Sequence, residues 1–137
     1  MKKQTIIITS ISIILLFGLS PNIYGQVKGA DDNTLIQGKW KDEKDEKSIW
    51  EFRSDGKLYS TYEGFDEVDV YTYNITSTPP ICPDAKLSNE QNIKYLKLVD
   101  QQDGDISCFY IYSLNENRLT VMDAVTGHIF PSIRIEE

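Results

Sequence analysis

The side chains able to do chemistry are few in this chain. Its 137 residues hold one histidine, His128, and two cysteines, Cys82 and Cys108, among 21 acidic residues. General acid–base catalysis needs an oriented partner for the group that moves the proton. His128 has none at a recognisable spacing, and no Ser-His-Asp set can be assembled around it. An ordinary zinc site needs more nitrogen and sulfur ligands than one histidine and two cysteines supply. Asp100, Asp103 and Asp105 share one turn beside Gly104 and could offer oxygens to calcium. They depart from the regular Asp-x-Asp-x-Asp-Gly loop, so a solvated turn is the better reading. No catalytic residue, metal or cofactor is therefore expected, and the chain is read as a non-enzyme.

The two cysteines have a further use if the chain is exported. Lys2 and Lys3 precede an apolar run from Ile6 to Leu19, Pro21 and Asn22 break it, and Gly25 offers a small residue for cleavage. Residues 1–25 thus read as a signal peptide. The competing reading is an uncleaved anchor, since the uncharged stretch from Thr5 to Val27 is long enough to span a bilayer. Export would place the mature chain in the periplasm or outside the cell. There two cysteines in a small domain usually pair, so a Cys82–Cys108 disulfide is expected rather than two free thiols. Loss of Lys2 and Lys3 leaves 12 basic against 21 acidic residues, a net charge of −9. Nucleic acid and anionic lipid both require clustered Lys and Arg, so neither is expected as a partner, and no membrane association is expected after cleavage.

The elements that must position any site read as short strands. After a flexible segment at 26–34, strands are expected at 36–41, 48–53, 57–62, 68–75, 93–99, 106–114, 118–122 and 128–135. Ser54-Asp55-Gly56 is a hairpin turn, because Asp-Gly supplies the positive φ that such turns need. The mixed-charge run from Asp42 to Lys47 is a solvated loop. Residues 76–91 form a long connection whose prolines cannot sit in a central strand. Strands this short and this evenly spaced indicate one all-β domain over 35–137, a small antiparallel up-and-down barrel of about eight strands.

At this point the chain resembles the bacterial lipocalin-like domain proteins of the calycin group. Gly38-Lys39-Trp40 matches the G-x-W that opens the first strand of that barrel. Phe52 to Leu58 resembles the F-x-x-D-G turn between its second and third strands. Tyr110 to Leu114 followed by Arg118 to Val121 looks like its paired late strands. The resemblance implies a closed lipocalin-like barrel in which Arg134 packs over Trp40, with Gly38, Trp40 and Arg134 as structural residues. The chain is shorter than the larger lipocalins and lacks a long C-terminal helix.

Two kinds of binding follow. Trp50, Phe52, Tyr62, Tyr71 and Tyr73 fall on inward faces with Ser60 among them, so these six residues could line a pocket for a small apolar molecule. Alternatively the barrel is a scaffold and Pro79, Pro80 and Ile81 in the 76–91 loop contact a protein, for example as a secreted protease inhibitor. A loop stiffened by prolines and tethered at Cys82 loses little entropy on binding. The expected processing is directly measurable: intact mass of the protein from its native host should correspond to cleavage close to Gly25. The full-length chain retained in membranes would contradict it.

Overall fold

The computed structural model describes residues 31–136. The expected signal peptide and its cleavage site lie outside the described residues. A one-turn helix, α1 (Asp32–Leu35), precedes eight strands. These are β1 (Gly38–Asp42), β2 (Ser48–Phe52), β3 (Lys57–Tyr62), β4 (Val68–Thr76), β5 (Lys94–Asp100), β6 (Ile106–Leu114), β7 (Arg118–Asp123) and β8 (Ile129–Ile135). Each strand pairs antiparallel with its sequence neighbour, and β8 pairs back with β1, so the sheet closes in sequence order. This is the all-β up-and-down barrel that the strand spacing indicates. Closure leaves no sheet edge free to pair with another chain.

Alternation decides what points inward. Trp40, Phe52, Leu58, Leu96, Leu98, Phe109, Leu119 and Val121 are buried and form one core with Ile36. Each such side chain contributes roughly 1.5–3 kcal/mol by leaving water. A bulge in β6, where the register shifts between Ile111 and Ser113, lets Leu114 face Leu119. Without the extra residue the alternation would turn Leu114 outward. In the β2–β3 hairpin Gly56 adopts φ 81°, and its amide donates to the Arg53 carbonyl at 3.1 Å. A glycine in the left-handed region is what a three-residue hairpin loop of this kind needs.

The up-and-down order gives the barrel two unlike ends. One end holds α1 and the turns at 53–56 and 115–117, and it is closed. Part of the stretch read as flexible, 26–34, is in fact ordered as α1. Asp31 caps it by accepting from the Thr34 amide at 2.8 Å, Asp32 is ion-paired with Lys94, and the following Ile36 is fully buried. Asp31 is a good N-cap residue, and Leu35-Ile36 gives the turn an apolar anchor that a polar linker lacks.

Arg134 seals this end. Its guanidinium lies 4.2 Å from the centre of the Trp40 ring. It donates to the carbonyl of Gln37 at 2.5 Å, to that of Leu35 at 2.6 Å, and to that of Glu116. The Trp40 indole N–H donates to the Ile36 carbonyl at 2.7 Å. Gly38 has φ 120°, and a Cβ there would collide with Nη1 of Arg134. Gly38, Trp40 and Arg134 therefore form one unit. Replacing Arg134 by Ala removes the stacking and strands three carbonyls, so stability should fall by about 2–3 kcal/mol. A denaturant titration should show a lower midpoint at unchanged slope; a midpoint equal to wild type would contradict this account.

Candidate functional site

The opposite end of the barrel is ringed by the turns at 43–47, 63–67, 101–105 and 124–128. Here the inward positions turn polar: Asp42, Ser48, Ser60, Asp69, Asp100, Asp123 and Ser132 stand above an aromatic floor. Trp50 forms that floor, stacked on Phe130 at 6.2 Å and edge-on to Phe109 at 5.8 Å. A pit of about 60 Å³ is lined by Trp40, Asp42, Ser48, Trp50, Phe130 and Ser132. A groove of about 340 Å³, open to solvent, continues from Ser48 past Ser60, Thr61, Tyr62, Phe65, Glu67 and Asp69. Tyr62 and Phe65 meet edge-on at 5.7 Å at its lip, and Phe65 is 68% exposed.

The six pocket candidates do not share one cavity. Trp50 lines the pit, while Ser60 and Tyr62 line the groove beside it. Trp50 and Ser60 are cross-strand partners, so the bulky indole takes the space that the small serine leaves. Phe52 and Tyr73 belong to the closed half, where they pack edge-on at 5.0 Å. The Tyr73 hydroxyl donates to the Arg53 carbonyl at 2.9 Å, which ties it to the β2–β3 turn. Tyr71 sits between the two halves; burial pushes its phenol above the ordinary value, and Asp69, Asp100 and Asp103 push it further. The Tyr62 phenol is raised mainly by its hydrogen bond to Asp45. Asp100 and Asp103 cap their own turn by accepting from the amides of Gln102 and Asp105. His128 packs edge-on against Phe130 at 4.5 Å.

The second feature lies outside the barrel. Cys82 and Cys108 form a disulfide, with Cα atoms 6.3 Å apart. Phe109 faces the core, so its neighbour Cys108 points outward. The connection over 77–93 folds back against this outer face of β5 and β6 instead of standing free. Tyr95 also points outward yet is fully buried; its hydroxyl donates to the Ser88 carbonyl, and its ring meets Tyr110 at 5.6 Å. The Ser88 amide donates to the Tyr110 hydroxyl at 3.4 Å. Asn92, at φ 68°, turns the chain back into β5. Sequence reading overlooked this outer layer; the signal was that large apolar or aromatic residues occupy both faces, Tyr95 beside Leu96 in β5 and Tyr110 beside Phe109 in β6.

Pro79, Pro80 and Cys82 are partly covered, whereas Ile81 is 85% exposed. An isoleucine held out to solvent one residue from a disulfide is the most prominent apolar contact on the loop. Pro83 and Asp84 border an open groove with Gly104, Ser107, Asp123 and Val125, which brings the tethered part of the loop beside the 101–105 turn.

Comparisons add no relative: no family model, curated protein or solved structure matches the chain.

The tether predicts a local effect. Replacing Cys82 and Cys108 together by Ser should lower stability by roughly 3–4 kcal/mol in the chain-entropy account. Hydrogen exchange should rise over 77–93 while the amides of β1 to β3 stay protected. Equal loss of protection around the whole barrel would contradict a tether confined to the outer layer.

Proposed function

We propose that the chain is an exported, non-enzymatic binding protein of lipocalin-like type that engages a protein partner through the outer loop, with Pro79, Pro80 and Ile81 at the contact. The observation that carries this reading is the filled interior. Pockets for small molecules usually measure some 300–1,000 Å³; the pit between the core rings measures about 60 Å³, and the groove of about 340 Å³ beside it lies open at the mouth rather than enclosed in the barrel. An eight-strand barrel is just wide enough for its own side chains to fill. The alternative, a small apolar molecule within the barrel, would require Trp50, Phe109 and Phe130 to separate.

The loop has the properties of a rigid contact. Two prolines limit its backbone, the disulfide holds it to β6, and Ile81 is presented to solvent. Such a segment loses little freedom on association, and its apolar side chain gains burial. A secreted inhibitor occupying an aliphatic protease pocket is one function that this geometry suits. The Gly38–Trp40–Arg134 unit supports the lipocalin-like assignment. Among the described residues no helix is long and apolar enough to cross a membrane.

The test compares wild type with a variant in which Pro79, Pro80 and Ile81 are all Gly. Both should fold to the same barrel by circular dichroism. Immobilised on a sensor surface, wild type should capture a discrete extracellular protein, identifiable by mass and confirmed with the purified partner. The variant should lose at least roughly tenfold in affinity, the scale of an apolar anchor residue. Unchanged affinity would place the contact elsewhere and overturn this reading.

A further inference from the structure

The open end of the barrel carries the molecule's negative charge. The segments 42–47, 63–69, 100–105 and 123–128 hold 12 acidic residues against Lys44 and Lys47. The remaining described residues hold eight acidic and nine basic side chains, close to balance. Of the open-end acids, Glu43 is bound by Arg118. A mouth lined by one sign of charge focuses the field and concentrates ions of the opposite sign.

Within that mouth is a pit with a defined chemistry. Its walls are the rings of Trp40, Trp50 and Phe130, and its lip carries the Asp42 carboxylate with the hydroxyls of Ser48 and Ser132. Oδ1 of Asp42 accepts from the amides of Lys44 at 2.7 Å and Asp45 at 3.2 Å, which fixes the carboxylate in place. Among the described residues neither Oδ2 of Asp42 nor the two serine hydroxyls have a hydrogen-bond partner. Aromatic faces with a carboxylate at the rim attract a cation twice, through ring quadrupoles and through charge. The pit is too small for a whole ligand and suits a single head group. The groove from Ser48 to Tyr62 and Phe65 adjoins it and offers apolar surface to whatever carries that head.

We propose that this pit is a binding site for an organic cation, an ammonium or guanidinium head group on an apolar or aliphatic stem. The cation sits in the pit against the rings of Trp50 and Phe130 without parting them, donates to Asp42 and to the serine hydroxyls, and lays its stem along Tyr62 and Phe65. The site is separate from the Pro79–Ile81 contact and stands or falls without it.

The head group has two sources, a free amine or a side chain of another protein. The titration therefore uses 2-phenylethylamine for the first and N-acetyl-arginine methylamide for the second. Neutral counterparts are 2-phenylethanol and N-acetyl-citrulline methylamide. The readout is the Trp50 indole resonance in a ¹⁵N-labelled sample of the folded protein. At least one cation should give a saturable shift with Kd below roughly 10 mM, and its neutral counterpart should bind roughly tenfold more weakly or not at all. Whichever cation binds names the source.

Asp42→Asn should weaken binding by roughly fivefold or more, with folding checked by the dispersion of the spectrum. Glu46→Gln removes a charge from the same turn without lining the pit and should change affinity by less than about twofold. Equal weakening by the two variants would mean a diffuse field and would overturn the site. Equal binding of cation and neutral counterpart, or no saturable shift with either cation, would overturn it as well.

Discussion

The Arg134 guanidinium, stacked on Trp40 and bonded to three carbonyls, is the contact on which the barrel depends. It joins β8, α1 and the β6–β7 turn at the point where the first and last strands must meet. Its position explains Gly38, whose missing Cβ makes room for it, and Ile36, whose carbonyl orients the Trp40 indole. A cation over a ring is worth more where water is scarce, and the closed end supplies that environment. With this end sealed and Phe52, Tyr73 and Leu58 packed above it, little of the interior is left to hold a ligand.

That packing leaves the outer surfaces as the features that distinguish the molecule. The chain has a second layer on β5 and β6, where Tyr95, Cys108 and Tyr110 face away from the core and are covered by the 77–93 connection. Fastening the connection there leaves Ile81 exposed in a segment that cannot easily retreat. The opposite property governs the mouth, where inward positions and turns are polar and acidic above the aromatic floor. One end is built for stability, while the other end and the outer loop remain available for contacts.

Much of the fold was legible in the sequence because local chemistry dictated it. Asp55-Gly56 fixed a turn, alternation in β2 to β4 fixed which residues point inward, and β3 and β6 have the expected bounds. The Arg134–Trp40 contact was expected from the G-x-W resemblance and not from spacing, since the residues lie 94 positions apart in the chain. Three features were not legible, each for a physical reason. The cap that makes α1 a helix depends on Ile36 finding the barrel floor. Ser60 reads as a gap until Trp50 is known to lie opposite it. The outward burial of Tyr95 depends on where the long loop folds, which no local pattern encodes. The acidic residues of the mouth were visible individually, but only strand order gathers four separate turns at one end.

The central claim is that the barrel interior is filled and binding occurs at its surfaces. The most direct measurement is a fluorescence titration with an apolar probe larger than the pit, such as N-phenyl-1-naphthylamine. The account predicts no saturable one-to-one binding and no quenching of Trp40 or Trp50. Stoichiometric uptake that quenches Trp50 and disappears in Ser60→Trp would contradict it, because the interior would then open to admit a ligand.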